Sequence, residues 1–263
     1  SEQRIPAKSE QKSLRYQYVM VRTNFKEDRW VQAAEARPGN REVVHHIIVY
    51  VLALGQRLNE SREDGIGSGF LTAYAPGDMP SVFPAGTAKK IPRGATLVFQ
   101  MHYTPTNTAQ TDRSSVGLIF AKEPPKHEAR TRAIASRRLN IPPGEENHKV
   151  VAVSEMRRDA RLLSLMPHMH LRGKSFRYRV IFPDGKEQIL LDVPRYDFAW
   201  QTVYRLEKPL DLPAGTKIEC TAVFDNSAKN RNNPDPTKWV RWGEQTWDEM
   251  MIGFLDYVYL DKK

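Results

Sequence analysis

Five histidines and one methionine, spread from His45 to Met250, are the side chains of this 263-residue chain with the plainest capacity for chemistry. They read His45-His46, Gln100-Met101-His102-Tyr103, Pro167-His168-Met169-His170 and Asp248-Glu249-Met250. The chain has seven histidines, so five of them fall in three compact, strand-like settings. Imidazole suits copper, zinc, iron and nickel, and a thioether added to imidazoles favours copper, Cu(I) above all. Grouped as His-His-His and His-His-Met, these residues would make two three-ligand copper sites, each with an open position. That is a donor set for oxygen chemistry.

Each element taken alone admits a plainer role. In a strand, residues i and i+2 share a face, so His168 and His170 can converge on one ion. An isolated His-x-His is as readily two surface or packing histidines. A cupin also offers His-x-His but usually adds a glutamate a few residues on, and here Leu171, Arg172, Gly173, Lys174 and Ser175 follow. Adjacent residues of a regular strand face opposite ways, so His45 and His46 can share an ion only through a bulge or through different ring nitrogens. They lie between Val43-Val44 and Ile47-Ile48, in the most apolar strand of the chain. A buried imidazole pair without partners is costly there; one core and one exposed histidine is the other outcome. Alternation puts Val98, Gln100 and His102 on one face of their strand and Phe99, Met101 and Tyr103 on the other. A lone strand histidine is more often structural than a ligand, and Met250, in Met250-Met251-Ile252, could equally be core.

The elements that must position these residues are strands. Phe83-Pro84-Ala85-Gly86, Ile91-Pro92-Arg93-Gly94, Ile141-Pro142-Pro143-Gly144 and Leu212-Pro213-Ala214-Gly215 repeat one pattern, an apolar residue followed by Pro-x-Gly. Proline presets φ at the first central turn position and glycine accepts a positive φ later, so each unit predicts a reversal. Pro183-Asp184-Gly185-Lys186 predicts a hairpin between 176–182 and 188–193. Further strands are expected at 16–22, 43–54, 96–103, 115–120, 149–153, 161–166, 217–224 and 250–260. Long 3.6-residue apolar periodicity is nearly absent. Many short strands with Pro/Gly turns imply an all-β chain built of sandwiches rather than a βαβ sheet.

Length allows two domains of roughly 125 residues. The basic, proline-containing stretch 123–140 is the expected boundary, with the division near residue 138, giving domains 14–138 and 139–263. Residues 1–13, polar and charged, are expected to form a poorly ordered arm, and 231–236 a surface loop. A start at Ser1 without methionine reads as a processed or excised fragment from which an export signal could have been lost. The longest apolar run, Ile47 to Leu54, falls far short of the roughly 20 residues a spanning helix needs, so no membrane span is expected. The net charge is +9, and its densest stretch, Lys126 to Arg138, carries Arg130, Arg132, Arg137 and Arg138. No binding module or aromatic stacking platform accompanies these charges, so no nucleic-acid partner is expected. The single cysteine, Cys220, excludes an intrachain disulfide and thiolate metal sites and reads as an inert core thiol.

Taken together, the segments resemble a known family in type, order and local context. The anchors are Arg37-Pro38-Gly39-Asn40 leading into Val43-Val44-His45-His46, then Tyr74-Ala75-Pro76-Gly77, Gln100 to Tyr103, Met166 to His170, and Trp247-Asp248-Glu249-Met250. From about Tyr16 to Leu260 the chain resembles the copper type II, ascorbate-dependent monooxygenases, the family of peptidylglycine α-hydroxylating monooxygenase and dopamine β-monooxygenase, and its bacterial members above all. The resemblance implies two jelly-roll-like β-sandwich domains facing each other across a solvent-filled cleft. It makes His45, His46 and His102 the ligands of an electron-transfer copper in the N-terminal domain. His168, His170 and Met250 become the ligands of the copper that activates dioxygen to hydroxylate a substrate C–H bond. It further implies two copper ions per chain, with ascorbate or another one-electron donor as reductant. A redox partner protein or fused redox domain is a further source of electrons. The implied location is extracytoplasmic, periplasmic or secreted, in a bacterium.

Departures from the family narrow the substrate. The peptide-hydroxylating members carry an arginine two residues before the His-x-His pair, where this chain has Met166. They place asparagine and tyrosine two and four residues after the ligand methionine, where this chain has Ile252 and Phe254. A fairly apolar small molecule is therefore expected rather than a glycine-extended peptide. Two other functions fit parts of the pattern. One is a copper-binding or electron-transfer module without hydroxylase activity. The other is a mononuclear cupin-like or zinc protein using only His168 and His170.

Overall fold

The computed structural model describes residues 2–11, 14–56, 69–77 and 79–260, and their regular structure is all β, with no helix. No helix among them is long and apolar enough to cross a membrane. The chain divides into two compact units, Ser1–Thr131 and Arg132–Lys263.

The first unit holds β1 (Gln3–Ile5), β2 (Gln17–Arg22), β3 (Arg29–Arg37), β4 (Val44–Leu52) and β5 (Phe70–Tyr74). It continues with β6 (Ser81–Val82), β7 (Thr87–Ile91), β8 (Thr96–Tyr103), β9 (Gln110–Asp112) and β10 (Ser115–Phe120). Then β11 (His127–Ala135) carries the chain into the second unit. One sheet runs β2-β8-β4-β5, antiparallel throughout. The other runs β10-β3-β7, with β6 on β3 and the start of β11 parallel to β7. Between them lies one apolar cluster: Val44, Ile47, Val49 and Val51 of β4 and Leu97, Phe99, Met101 and Tyr103 of β8 against Val31, Ala34 and Ala36 of β3. Burial of each larger side chain is worth roughly 1.5–3 kcal/mol, so this face sets the register.

The second unit continues with β12 (Asn140–Ile141), β13 (His148–Glu155), β14 (Ala160–His168), β15 (Gly173–Ile181) and β16 (Glu187–Val193). It closes with β17 (Tyr204–Leu212), β18 (Lys217–Phe224), β19 (Val240–Arg241) and β20 (Ile252–Tyr259). A four-stranded antiparallel sheet, β13-β18-β15-β16, packs on β20-β14-β17. Phe176, Tyr178, Val180, Ile218, Cys220 and Phe224 from the first sheet meet Leu162, Leu165, Leu255 and Tyr257 from the second. Cys220 is fully buried, and burial holds its thiol well above its ordinary range.

The turn chemistry predicted from the Pro-x-Gly units is present. Gly86, Gly94, Gly144, Gly215 and the hairpin glycine Gly185 all carry positive φ. Two stretches differ from expectation. The polar arm expected at residues 1–13 contains β1, which pairs with β9. Ile5, fully buried in the first core, anchors it, and residues 1, 12 and 13 lie outside the described residues. The basic stretch 123–140 is largely strand: within β11, Ala129 and Ile134 are buried among cations that face outward or pair. The division between units accordingly falls inside that strand, at Thr131/Arg132, rather than near residue 138.

Gly253 shows how closely the second sandwich is packed. It stands opposite Pro167 in the β14–β20 register, and a methyl group there would run into Cys220 Sγ and lie 2.9 Å from a Tyr178 ring carbon. Gly253→Ala is expected to lower stability by about 1–3 kcal/mol, as overpacking of a filled core does. Urea unfolding of the two proteins measures this; a change below about 0.5 kcal/mol would show that the core has slack at this point.

Candidate functional site

The first three histidines come together because β4 is irregular. Val44 pairs with Tyr103 but His46 pairs with His102, so two residues of β4 face one of β8 and His45 is the extra residue of a β-bulge. Val44 and Ile47 both point into the core, while His45 and His46 both turn to the other face of the sheet, where His102 already lies. The Nδ1 atoms of His45 and His46 are 3.3 Å apart, and those of His46 and His102 are 3.4 Å apart. One ligand nitrogen from each ring lies within 4.8 Å of the others. Nitrogens bound to one ion at about 2.0 Å must lie about 3.3–3.5 Å apart at tetrahedral to trigonal angles, which matches both short pairs. His46 Nδ1 faces two neighbours, and a single N–H could serve only one of them. A cation serves all three, so the group fits a metal ion with imidazole ligands, the class that includes copper, zinc, iron and nickel.

Local contacts hold this geometry. Tyr16, one residue before β2, packs its ring against His46 and His102 at centroid distances of 5.3 and 4.9 Å. Asp112 is buried and accepts from the Asn40 amide at 2.9 Å and from the Tyr103 hydroxyl at 2.9 Å. The Asn40 carbonyl in turn accepts from the Val44 amide at 3.1 Å. One carboxylate thereby links the turn entering β4 to the residue beside His102.

The second group is built on a turn. Past β14, His168-Met169-His170 leaves the strand with Met169 in the core cluster and the two imidazoles 5.3 Å apart, at right angles. The Tyr196 hydroxyl accepts from the Met169 amide at 2.9 Å and donates to its carbonyl at 2.8 Å. Gly173 allows this approach, since a Cβ there would lie 2.7 Å from the Tyr196 ring. Gln201 Nε2 donates to the Phe198 carbonyl, which turns Gln201 Oε1 to His168 Nδ1 at 2.6 Å. His170 Nδ1 lies 3.2 Å from the Asp248 carbonyl, which can only accept. Both Nδ1 atoms therefore carry the proton, and both rings present Nε2 as the electron-pair donor. Beyond the last paired residues, His168↔Ile252, Met250 is joined to this turn through the carboxylate of its neighbour Glu249. Glu249, fully buried, accepts from the amides of His170 at 2.8 Å, Arg172 at 2.6 Å and Met250 at 3.3 Å. Burial pushes its carboxyl up to about 8, while those amides and the Arg172 guanidinium act against that rise.

His45, His46 and His102 thus form one group in the first unit, and His168 and His170 pair in the second, with Met250 linked to their turn through Glu249. Asp112, Glu249, Tyr196 and Gln201, which hold them, went unassigned in the sequence. Glu249 lies within the Asp-Glu-Met anchor, but nothing in its spacing shows that it is buried. Gln201 sits on a loop with no pattern pointing to His168.

No family model matches the chain. Among solved structures it is similar to an allantoicase at 9% identity, over 81% of this chain and 78% of that one, with a TM-score of 0.25. It is similar at 11% identity to a subviral particle of infectious bursal disease virus, over 89% of this chain and 57% of that one, with a TM-score of 0.25. A fucolectin from striped bass serum is 9% identical over 98% of this chain and 85% of that one, with a TM-score of 0.24. Superpositions this loose carry nothing about site or activity.

Burial lowers the pKa of His45, and burial together with the neighbouring His45 charge lowers that of His102 to about 3. The folded chain therefore holds both neutral, as a ligand must be. Unfolded histidines titrate near about 6.5, so between that pH and about 3 the unfolded chain binds more protons and stability falls as pH falls. For the metal-free chain we expect His102 to contribute a loss of up to about 1.4 kcal/mol per pH unit across that window. Urea unfolding at pH 7 and pH 5 measures the slope. The same slope in His102→Gln would show that His102 is not its source.

Proposed function

We propose that this chain is a bacterial, extracytoplasmic dicopper monooxygenase. One ion is bound by His45, His46 and His102, the other by His168, His170 and Met250. Copper at these positions would supply the one-electron steps that reduce dioxygen and hydroxylate a substrate C–H bond, with ascorbate or a redox partner protein or domain as electron source. The observation that supports this most directly is the bulge at His45, which brings three imidazole nitrogens to metal-ligand spacing. The fixed tautomers at His168 and His170 add to it, because they leave two Nε2 lone pairs beside a segment that carries a thioether. Imidazoles plus a thioether favour Cu(I) over the other metals imidazole can bind.

The chain's own residues divide the work. Gln201 and the Asp248 carbonyl hold the protons of His168 and His170 on Nδ1. Met166, Ile252 and Phe254, all buried, lie on the His168 side of the sheet, and the Phe254 ring is 6.4 Å from that of His168. Phe198 stands edge-on to His170 at 6.0 Å. An apolar lining of this kind excludes water and suits an apolar small molecule better than a charged peptide end. A copper-binding or electron-transfer module is the second reading, favoured by the fact that only the His45-His46-His102 group gathers three imidazoles among the described residues.

Anaerobic Cu(I) titration of the parent chain, His102→Ala and Met250→Ala, with X-ray absorption, tests both. The expected result is two coppers per parent chain, a Cu–S bond that disappears in Met250→Ala, and one site weakened in each variant. One metal per chain, or no sulfur ligand, would reject the dicopper assignment. Two coppers with steady oxygen consumption and no hydroxylated product would leave the electron-transfer module.

A further inference from the structure

Glu249 is the most unusual buried group in the second unit. A carboxylate with no solvent exposure is costly unless its oxygens are occupied. Here Oε1 accepts from the Arg172 amide and Oε2 from the amides of His170 and Met250. The first two donors belong to the turn that follows β14 and the third to the segment entering β20, nearly eighty residues later in the chain. Arg172 returns the connection: its buried guanidinium donates to the Trp247 carbonyl on Glu249's own segment at 2.9 Å and to Asn226 Oδ1 at 2.9 Å. Each segment therefore gives the other both a backbone group and a long polar side chain.

We infer that Glu249 is the positioning residue of the His168-His170-Met250 site: its two oxygens set the spacing between the His-x-His turn and the methionine. The inference rests on those three residues being the ligands of one ion. It explains why a carboxylate stands here rather than an amide. Glutamine offers one oxygen acceptor, and its NH2 group would face a backbone N–H as donor against donor. An apolar residue would leave the amides of His170, Arg172 and Met250 buried without an acceptor, so the bonds that hold the fold here are the same ones that fix the turn. What the carboxylate adds is a fixed register between two segments that must hold one metal, and partners of this kind are worth about 10- to 100-fold in metal affinity.

The test is Cu(I) affinity, measured anaerobically against a chromophoric chelator on the parent chain and on Glu249→Gln, with X-ray absorption to assign the sulfur-containing site. Glu249→Gln is expected to weaken that site about 10- to 100-fold and to leave the His45-His46-His102 site unchanged, which also reports that the protein is folded. In the metal-free chain, amide hydrogen exchange at His170 and Arg172 is expected to quicken in the same variant. Should Glu249→Gln fail to fold, Glu249→Asp keeps the charge but is too short to reach both segments, and the same selective loss is expected. Unchanged copper affinity in a folded variant, with or without a change in thermal stability, would overturn the inference while leaving the dicopper assignment intact. A parent chain that takes no copper at His168, His170 and Met250 would overturn both.

Discussion

A regular β-strand cannot turn two neighbouring side chains to one face, and the first site depends on how β4 escapes that constraint. In strict alternation one member of His45-His46 would enter the cluster formed by Val44, Ile47 and Val49. An imidazole there would lose its water and gain no partner among aliphatic side chains. One extra residue removes the conflict. With His45 bulged out, Val44 and Ile47 keep their places inside and both imidazoles turn to the face that carries His102 and the ring of Tyr16. A bulge also leaves backbone groups to be satisfied elsewhere and raises local twist. The carboxylate of Asp112, tied to Asn40 and Tyr103, braces the chain where it enters the bulge.

The second unit meets the same need by a different route. His-x-His requires no bulge, because alternation already places both rings on one side of Met169, which fills the core. The difficulty there is that the chain leaves the strand between its two histidines, so the turn must be held by side chains. Tyr196 holds Met169, and Glu249 holds the next residue and the next but one after that. In each unit a buried carboxylate bonds to the backbone of a ligand-bearing segment, and in each the apolar core closes without the ligands.

Much of this was open to a reader of the sequence, and the limits have physical causes. The Pro-x-Gly turns were legible because proline and glycine act through their own backbone preferences, whatever surrounds them. Strands β10 and β18 alternate cleanly, and their ends, like those of the more deeply buried β8, could be placed to the residue. By contrast β3 buries alanines, β7 buries Lys89 on the Phe70 and Leu71 carbonyls, and β11 carries cations, so none shows an apolar period. The bulge was legible as a requirement of His45-His46 sharing a face. Asp112, Gln201 and Glu249 were not legible in their roles. Each acts on a partner remote in sequence, and no local pattern distinguishes a buried acid from the surface acids around it.

The two groups differ in which ring nitrogen is turned toward its neighbours. In the first, the short approaches are between Nδ1 atoms, the nitrogen nearer the backbone, and the ring of Tyr16 packs against His46 and His102. In the second, Nδ1 is engaged by Gln201 at His168 and by the Asp248 carbonyl at His170, and Nε2 projects the length of the ring away from the chain. Phe254 and Phe198 stand edge-on to these two rings, at 6.4 and 6.0 Å. The tautomers of His168 and His170 are thus fixed by groups that lie outside the candidate donor set.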